Sequence, residues 1–165
     1  MSSELAHLYE QDFHAWVEVQ AKALRDLAQR RWNGPLDLAH LAEEVEDLGK
    51  AERNAVLSLL QTVIEHLLKL EYSTASEPRR QWQLSVNAAR DRLERHLTPT
   101  LSKLARAELP DLYRRARRDA ALGLADHGES ETARKLPALN HYTLEDLVRE
   151  GWWPGNRCGV VDGGA

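Results

Sequence analysis

Apolar residues recur at helical spacing along almost the whole chain. Leu5, Leu8, Tyr9, Phe13, Trp16, Val19, Ala23 and Leu27 share one face, which predicts a helix from about Ser3 to Arg31. Trp32-Asn33-Gly34-Pro35 ends it, because Gly accommodates the left-handed C-terminal residue and Pro cannot continue the helix. Asp37 has the character of an N-cap for the next helix. Its stripe begins with Leu38, Leu41, Val45 and Leu48 and resumes through Val56, Leu60, Val63, Ile64, Leu67 and Leu70. Gly49 interrupts it at a cost of about 1 kcal/mol relative to Ala, which predicts a kink or a short break. About half the circumference of this stretch is apolar, so it is expected to be the central helix.

A third helix opens near Pro78, with Trp82, Val86, Ala89, Leu93 and Leu97 on its stripe. Thr98-Pro99 reads as an N-cap followed by proline at the first helical position. That fourth region runs to about Leu124, and Pro110 is expected to divide it. Residues 126–137 read as a connection with a helical turn around Glu131–Lys135. Thr143-Leu144-Glu145-Asp146 carries the capping pattern of a short last helix, closed by Gly151. No segment alternates with the period of a strand, and no internal repeat is present. The fold class is therefore all-α: a helical bundle of about four principal helices plus a short C-terminal helix, as one domain over residues 1–155. Residues 156–165 read as a glycine-rich tail with little to pack.

Composition narrows the picture. The chain has 165 residues, enough for a core without staples, with 42% hydrophobic and 29% charged residues. A single cysteine, Cys158, leaves no disulfide within the chain and too few sulfurs for a Cys-based zinc site. The acidic opening segment does not resemble a signal peptide, and no apolar run approaches the roughly 18 residues that span a bilayer. The expected location is cytoplasmic, with no membrane partner.

Charge is unevenly spread. Residues 1–77 carry −7, residues 78–122 carry +6 and residues 123–165 carry −3, for a total of −4. The basic stretch 79–118 contains the run Arg114, Arg115, Arg117, Arg118. Arginine clusters can neutralise phosphates, so nucleic-acid binding is one reading of this patch. The acidic total and the lack of a nucleic-acid module favour the other, in which basic helices pack beside acidic ones.

Polar residues on apolar stripes are the candidates for chemistry. Asp12 lies within the first stripe, Glu44 flanks Leu41 and Leu48, His66 borders the central face, and Arg90 sits beside Val86 and Leu93. A buried charge needs a partner, so these four are expected to converge in a polar cluster. Carboxylates and imidazole on facing helices can also build a metal or acid/base site. However, Glu4-Leu5-Ala6-His7 is the sole Glu-x-x-His motif, where a di-metal bundle needs two. A structural network without metal or cofactor is the expected form. Phosphate-binding and nucleophile-elbow glycine motifs are missing, and Cys158 has no base nearby in sequence. Trp152-Trp153 is expected to seal the core.

Several short motifs occur in an order that resembles a bacterial family, domain of unknown function 29. They begin with Tyr9-x-x-Asp12-Phe13-x-x-Trp16, Leu41-Ala42-Glu43-Glu44-Val45-Glu46 and His66-Leu67-Leu68-Lys69. Trp82, Arg90, Pro99-Thr100-Leu101 and Tyr113-x-x-Ala116-Arg117 follow, then Glu131-Thr132, Tyr142-Thr143 and Trp153-Pro154. The resemblance extends to about Gly155. It implies a helical protein and supplies no catalytic residues. His141 stands where the family pattern has Cys-Pro before the tyrosine, which removes cysteine chemistry at that point.

The sequence thus favours a non-enzymatic helical protein acting through contacts with a protein partner. The rival readings are a metal-binding or acid/base bundle using Asp12, Glu44 and His66, and a nucleic-acid binder using residues 79–118.

Overall fold

Asp12 divides the first apolar stripe into two helices. The fold is known from a computed structural model that describes residues 2–30 and 32–161, with α1 spanning Ser2–Gln11 and α2 spanning Phe13–Ala28. The single helix expected up to Arg31 is thus interrupted, and Arg31 itself lies outside the described residues. Asp12 leaves helical geometry (φ −147°, ψ 80°), and its side chain accepts the Ala15 N–H at 3.1 Å. Its carboxylate competes with the helical backbone for that donor, as short polar side chains do at caps.

α3 runs unbroken from Leu38 to Tyr72 over 35 residues. Asp37 starts it as expected, accepting the His40 N–H at 3.3 Å. Of the kink or break expected at Gly49, the break does not occur, because the helix is continuous through it. A Cβ at Gly49 would lie 2.8 Å from Val17 Cγ1, so the missing side chain lets α2 approach α3. α4 spans Arg79–His96 and α5 spans Pro99–Asp126. Thr98 caps α5, accepting the Leu101 N–H at 3.3 Å. Pro110 lies inside α5 and does not divide it. Two short helices follow, α6 (Ser130–Lys135) and α7 (Leu144–Val148). Thr143 and Asp146 form the capping box of α7, and Gly151 turns the chain beyond it at φ 71°. The described residues contain no strand, so the protein is all-α.

Contacts gather into two units, Met1–Val56 with Leu97–Leu104, and Leu57–His96 with Ala105–Ala165. In the first, Val17, Ala21, Leu38, Ala42, Val56 and Leu101 are buried. Leu41 and Leu48, expected in the core, are 39% and 54% exposed. The reason is the helical period: positions 38, 42, 49 and 56 share the inward face, and 41, 44 and 48 fall on the adjoining outward one. In the second unit the core draws Leu60, Val63, Ile64 and Leu67 from α3, Val86 and Leu93 from α4, and Leu112, Tyr113 and Ala116 from α5. Leu147 of α7 is fully buried there as well. Among the described residues no helix is long and apolar enough to cross a membrane.

Candidate functional site

The C-terminal end of α3 lacks the glycine that often closes a helix, and its orphan carbonyls need other donors. They find them in distant segments. Arg79 Nη1 and Asn156 Nδ2 both donate to the Leu70 carbonyl, at 2.8 and 2.9 Å. Asn156 Nδ2 also reaches the Ser73 carbonyl, and the Arg157 N–H donates to the Glu71 carbonyl at 2.8 Å. Residues 156–160 therefore belong to the cap of α3, where the sequence read a tail with little to pack. The last residues of that tail, 162–165, lie outside the described residues.

This cap frames a buried carboxylate. Glu71 accepts the Tyr142 hydroxyl at 2.6 Å, His141 Nε2 at 2.8 Å and Arg157 Nε at 2.7 Å. Burial alone would raise the Glu71 carboxyl, but the hydrogen bonds from Tyr142, His141 and Arg157 hold it below the usual carboxylate range. Burial, the hydrogen bond to Glu71 and its charge push the Tyr142 phenol well upward. Tyr113 is pushed up to about 12, chiefly by burial, and its hydroxyl donates to the Pro137 carbonyl. Beside the cluster opens a cleft of 440 Å³, with Glu71, His141, Trp152, Pro154 and Arg157 in its walls. Trp152 meets Tyr142 edge-on, with ring centroids 6.3 Å apart.

The Glu71–His141 pair has the form in which a carboxylate orients an imidazole. No hydroxyl or thiol nucleophile completes it among the described residues. Cys158 Sγ is directed to the Tyr72 carbonyl at 3.4 Å, and Ser73 Oγ to Glu129 at 2.5 Å. Among the described residues no group of three or more His, Cys, Asp or Glu is arranged to hold a metal.

The four residues expected to converge have separate surroundings. Asp12 is buried and accepts from Ala15 N and from Thr100 N at 2.8 Å. Burial would raise its carboxyl, but these bonds and the Thr98 and Thr100 hydroxyls hold it low. Glu44 is exposed, on the outward face with Leu41 and Leu48. His66 is half-buried, its Nδ1 has no hydrogen-bond partner, and burial holds its pKa low. Arg90 is buried and donates to the Leu147 carbonyl at 2.9 Å and the Asp146 carbonyl at 3.0 Å, at the end of α7. Its guanidinium also lies over the Trp153 ring, 5.1 Å from the centroid. Among the described residues no hydrogen bond or ion pair joins any two of the four. The expected cluster is thereby corrected: Asp12 answers to helix-start donors, Arg90 to helix-end carbonyls, and Glu44 to solvent.

The arginine run is also dispersed. Arg117 donates three hydrogen bonds to the Leu136 and Pro137 carbonyls, at 2.9 to 3.2 Å. Arg114 and Arg118 are exposed and paired with Asp111 and Asp119. Arg115 is half-buried, with its Nε lacking a partner.

Residues 8–153 match the family described as Domain of unknown function DUF29. The chain belongs to this family. The resemblance seen in the sequence motifs thus holds over nearly the whole chain. Glu71, His141 and Tyr142 fall inside the DUF29 span, whereas Asn156 and Arg157 lie beyond it. An alpha-helical protein of unknown function from Rhodospirillum rubrum, solved by crystallography, is 26% identical, with a TM-score of 0.76. The alignment covers 87% of this chain and 90% of that one. No curated protein matches the DUF29 chain described here.

Proposed function

We propose that this helical protein is a non-enzymatic module that works by docking a protein partner on the outward face of α3. The observation that carries the reading is the exposed set Leu41, Glu44 and Leu48. These three follow one another at helical spacing with half-buried Val45 beside them. Of the large hydrophobic residues exposed among the described residues, seven of eleven belong to the first unit. Exposed apolar residues gathered on one face of a helix can serve as an interaction site.

Charge narrows the partner. The first unit contains 11 acidic against 7 basic residues, and Glu43, Glu44 and Asp47 are exposed around the apolar stripe. A second copy would bring like charges together. An amphipathic helix with basic residues flanking its apolar face complements both features.

The test uses a synthetic helical peptide of leucine and lysine, titrated into the full chain. Binding should be saturable and weaken with added salt. Leu41→Glu combined with Leu48→Glu should abolish it, and Glu44→Lys should weaken it, with helical content unchanged. Failure of the peptide to bind, or undiminished binding by the double variant, overturns the reading. So does concentration-dependent dimerisation lost in the same variant, which would put a second copy on this face.

A further inference from the structure

The cleft beside Glu71 lies within the second unit, and its charges do not balance. Its volume, 440 Å³, is in the ordinary range for small-molecule sites. Trp152 and Pro154 give it apolar walls, and both are half-buried, so part of each surface stays open to solvent. The charged residues lining it are Glu71, Arg157 and Asp146. Arg157 Nε donates to Glu71 at 2.7 Å, so these two cancel. With histidine counted as neutral, the formal charge left in the lining is the Asp146 carboxylate.

Among the described residues no cation pairs with that carboxylate. Asp146 is half-buried, and its Oδ2 accepts the Thr143 N–H at 2.9 Å in the capping box of α7. Its Oδ1 accepts no hydrogen bond among the described residues. Arg90 donates to the main-chain carbonyl of Asp146 and not to its carboxylate. The adjacent Glu145, by contrast, is exposed and paired with Arg106. The acid without a cation is thus the one that lines the cleft, together with an indole.

We infer that this cleft binds a small organic cation: an ammonium group carrying an apolar body. The ammonium donates to Asp146 Oδ1, and the body lies on Trp152 and Pro154. Ammonium groups make charge-assisted hydrogen bonds to carboxylates, and tryptophan is the ring that attracts cations best. An anion would find the Arg157 charge already taken up by Glu71 and would meet Asp146. A neutral apolar ligand would leave Asp146 unpaired. The cleft and the docking face of α3 belong to different units, so the two readings stand or fall independently.

Phenethylammonium, phenethyl alcohol, hydrocinnamate and methylammonium, each titrated into the full chain by calorimetry and NMR, separate these cases. Phenethylammonium should bind one to one and shift the Trp152 indole N–H and the Gly155 amide. The other three probes should bind at least about tenfold more weakly. Asp146→Asn keeps an acceptor for the Thr143 N–H and removes the charge, so it should weaken phenethylammonium binding by a similar factor with helical content unchanged. If that variant fails to fold, the probe series on the native chain decides alone. Equal binding of the alcohol, tighter binding of hydrocinnamate, equal binding of methylammonium, unchanged binding by folded Asp146→Asn, shifts confined to other residues, or no binding of phenethylammonium would each overturn the inference.

Discussion

The Tyr142 hydroxyl donates to Glu71 Oε2 at 2.6 Å, joining two buried groups 71 residues apart in sequence. The bond ties the segment before α7 to the end of α3, and His141 and Arg157 reinforce it from either side. Glu71→Gln keeps the shape and removes the charge. Hydrogen bonds to charged groups contribute about 1.5–3 kcal/mol each, so a loss of about 2–3 kcal/mol is expected at neutral pH. The pH dependence follows from linkage. The folded carboxyl lies below its ordinary value of 4.5, so its contribution is complete above that value. It fades as pH falls through the lower folded pKa. Denaturant melts of the wild type and Glu71→Gln should therefore converge in acid and separate near neutrality. A constant gap across that range would contradict the assignment.

Asp12 is expected to act as a cap rather than as a site residue. Asp12→Ala removes the acceptor for both Ala15 and Thr100 and should cost about 1–2 kcal/mol, the range for a lost N-cap. Asp12→Asn, which keeps one acceptor oxygen, should recover part of it. Because the folded Asp12 carboxyl is also held low, the wild-type advantage should again fade in acid. Thermal melts of the two variants at neutral and acidic pH check both statements.

Where local chemistry decided the outcome, the sequence was legible. Thr98-Pro99, Asp37 and Thr143 start helices where their residue types indicate. The all-α class follows from periodicity alone. Asp12 was misread because a carboxylate on an apolar stripe looks the same whether it caps a helix or sits in a core. Only the Thr100 N–H, 88 residues away, distinguishes the two. The Glu71 cluster was missed for a related reason. Leu70-Glu71-Tyr72 contains no motif, and its partners His141, Tyr142 and Arg157 arrive from a segment with no periodic signal. The available hint was a helix end with no glycine after Tyr72, which requires donors from elsewhere. Leu41 and Leu48 were assigned inward because a stripe wider than one face does not reveal which edge is covered.

The arginine run should separate into structural and dispensable members. Arg117→Ala removes the donor that holds the Leu136 and Pro137 carbonyls. It should destabilise by about 1.5–3 kcal/mol. Arg114→Ala and Arg118→Ala should each stay within about 0.5 kcal/mol of wild type, as surface substitutions do. Neutralising the two exposed arginines should leave any weak nucleic-acid retention sequence-independent. Sequence-dependent binding in a gel shift at physiological salt, abolished by that pair, would restore the nucleic-acid reading.

Gly49 offers a case in which two effects of opposite sign compete. In a helix interior, Gly→Ala ordinarily stabilises by about 1 kcal/mol, because alanine loses less backbone freedom on folding. Here the new Cβ would meet Val17 Cγ1 at 2.8 Å, and Val17 is 2% exposed in the core of its unit. A β-branched side chain has few rotamers with which to yield. Overpacking typically costs about 1–3 kcal/mol, so Gly49→Ala should be net destabilising by about 1–2 kcal/mol. Val17→Ala alone should also destabilise, by leaving a cavity. Combined, the two should cost less than their sum, with a coupling of about 1 kcal/mol or more, because the second change removes the clash made by the first. Denaturant melts of the two single variants and the double variant measure this cycle. A stabilising Gly49→Ala, or strict additivity, would mean that Val17 can move aside and that close approach is not what holds glycine at this position.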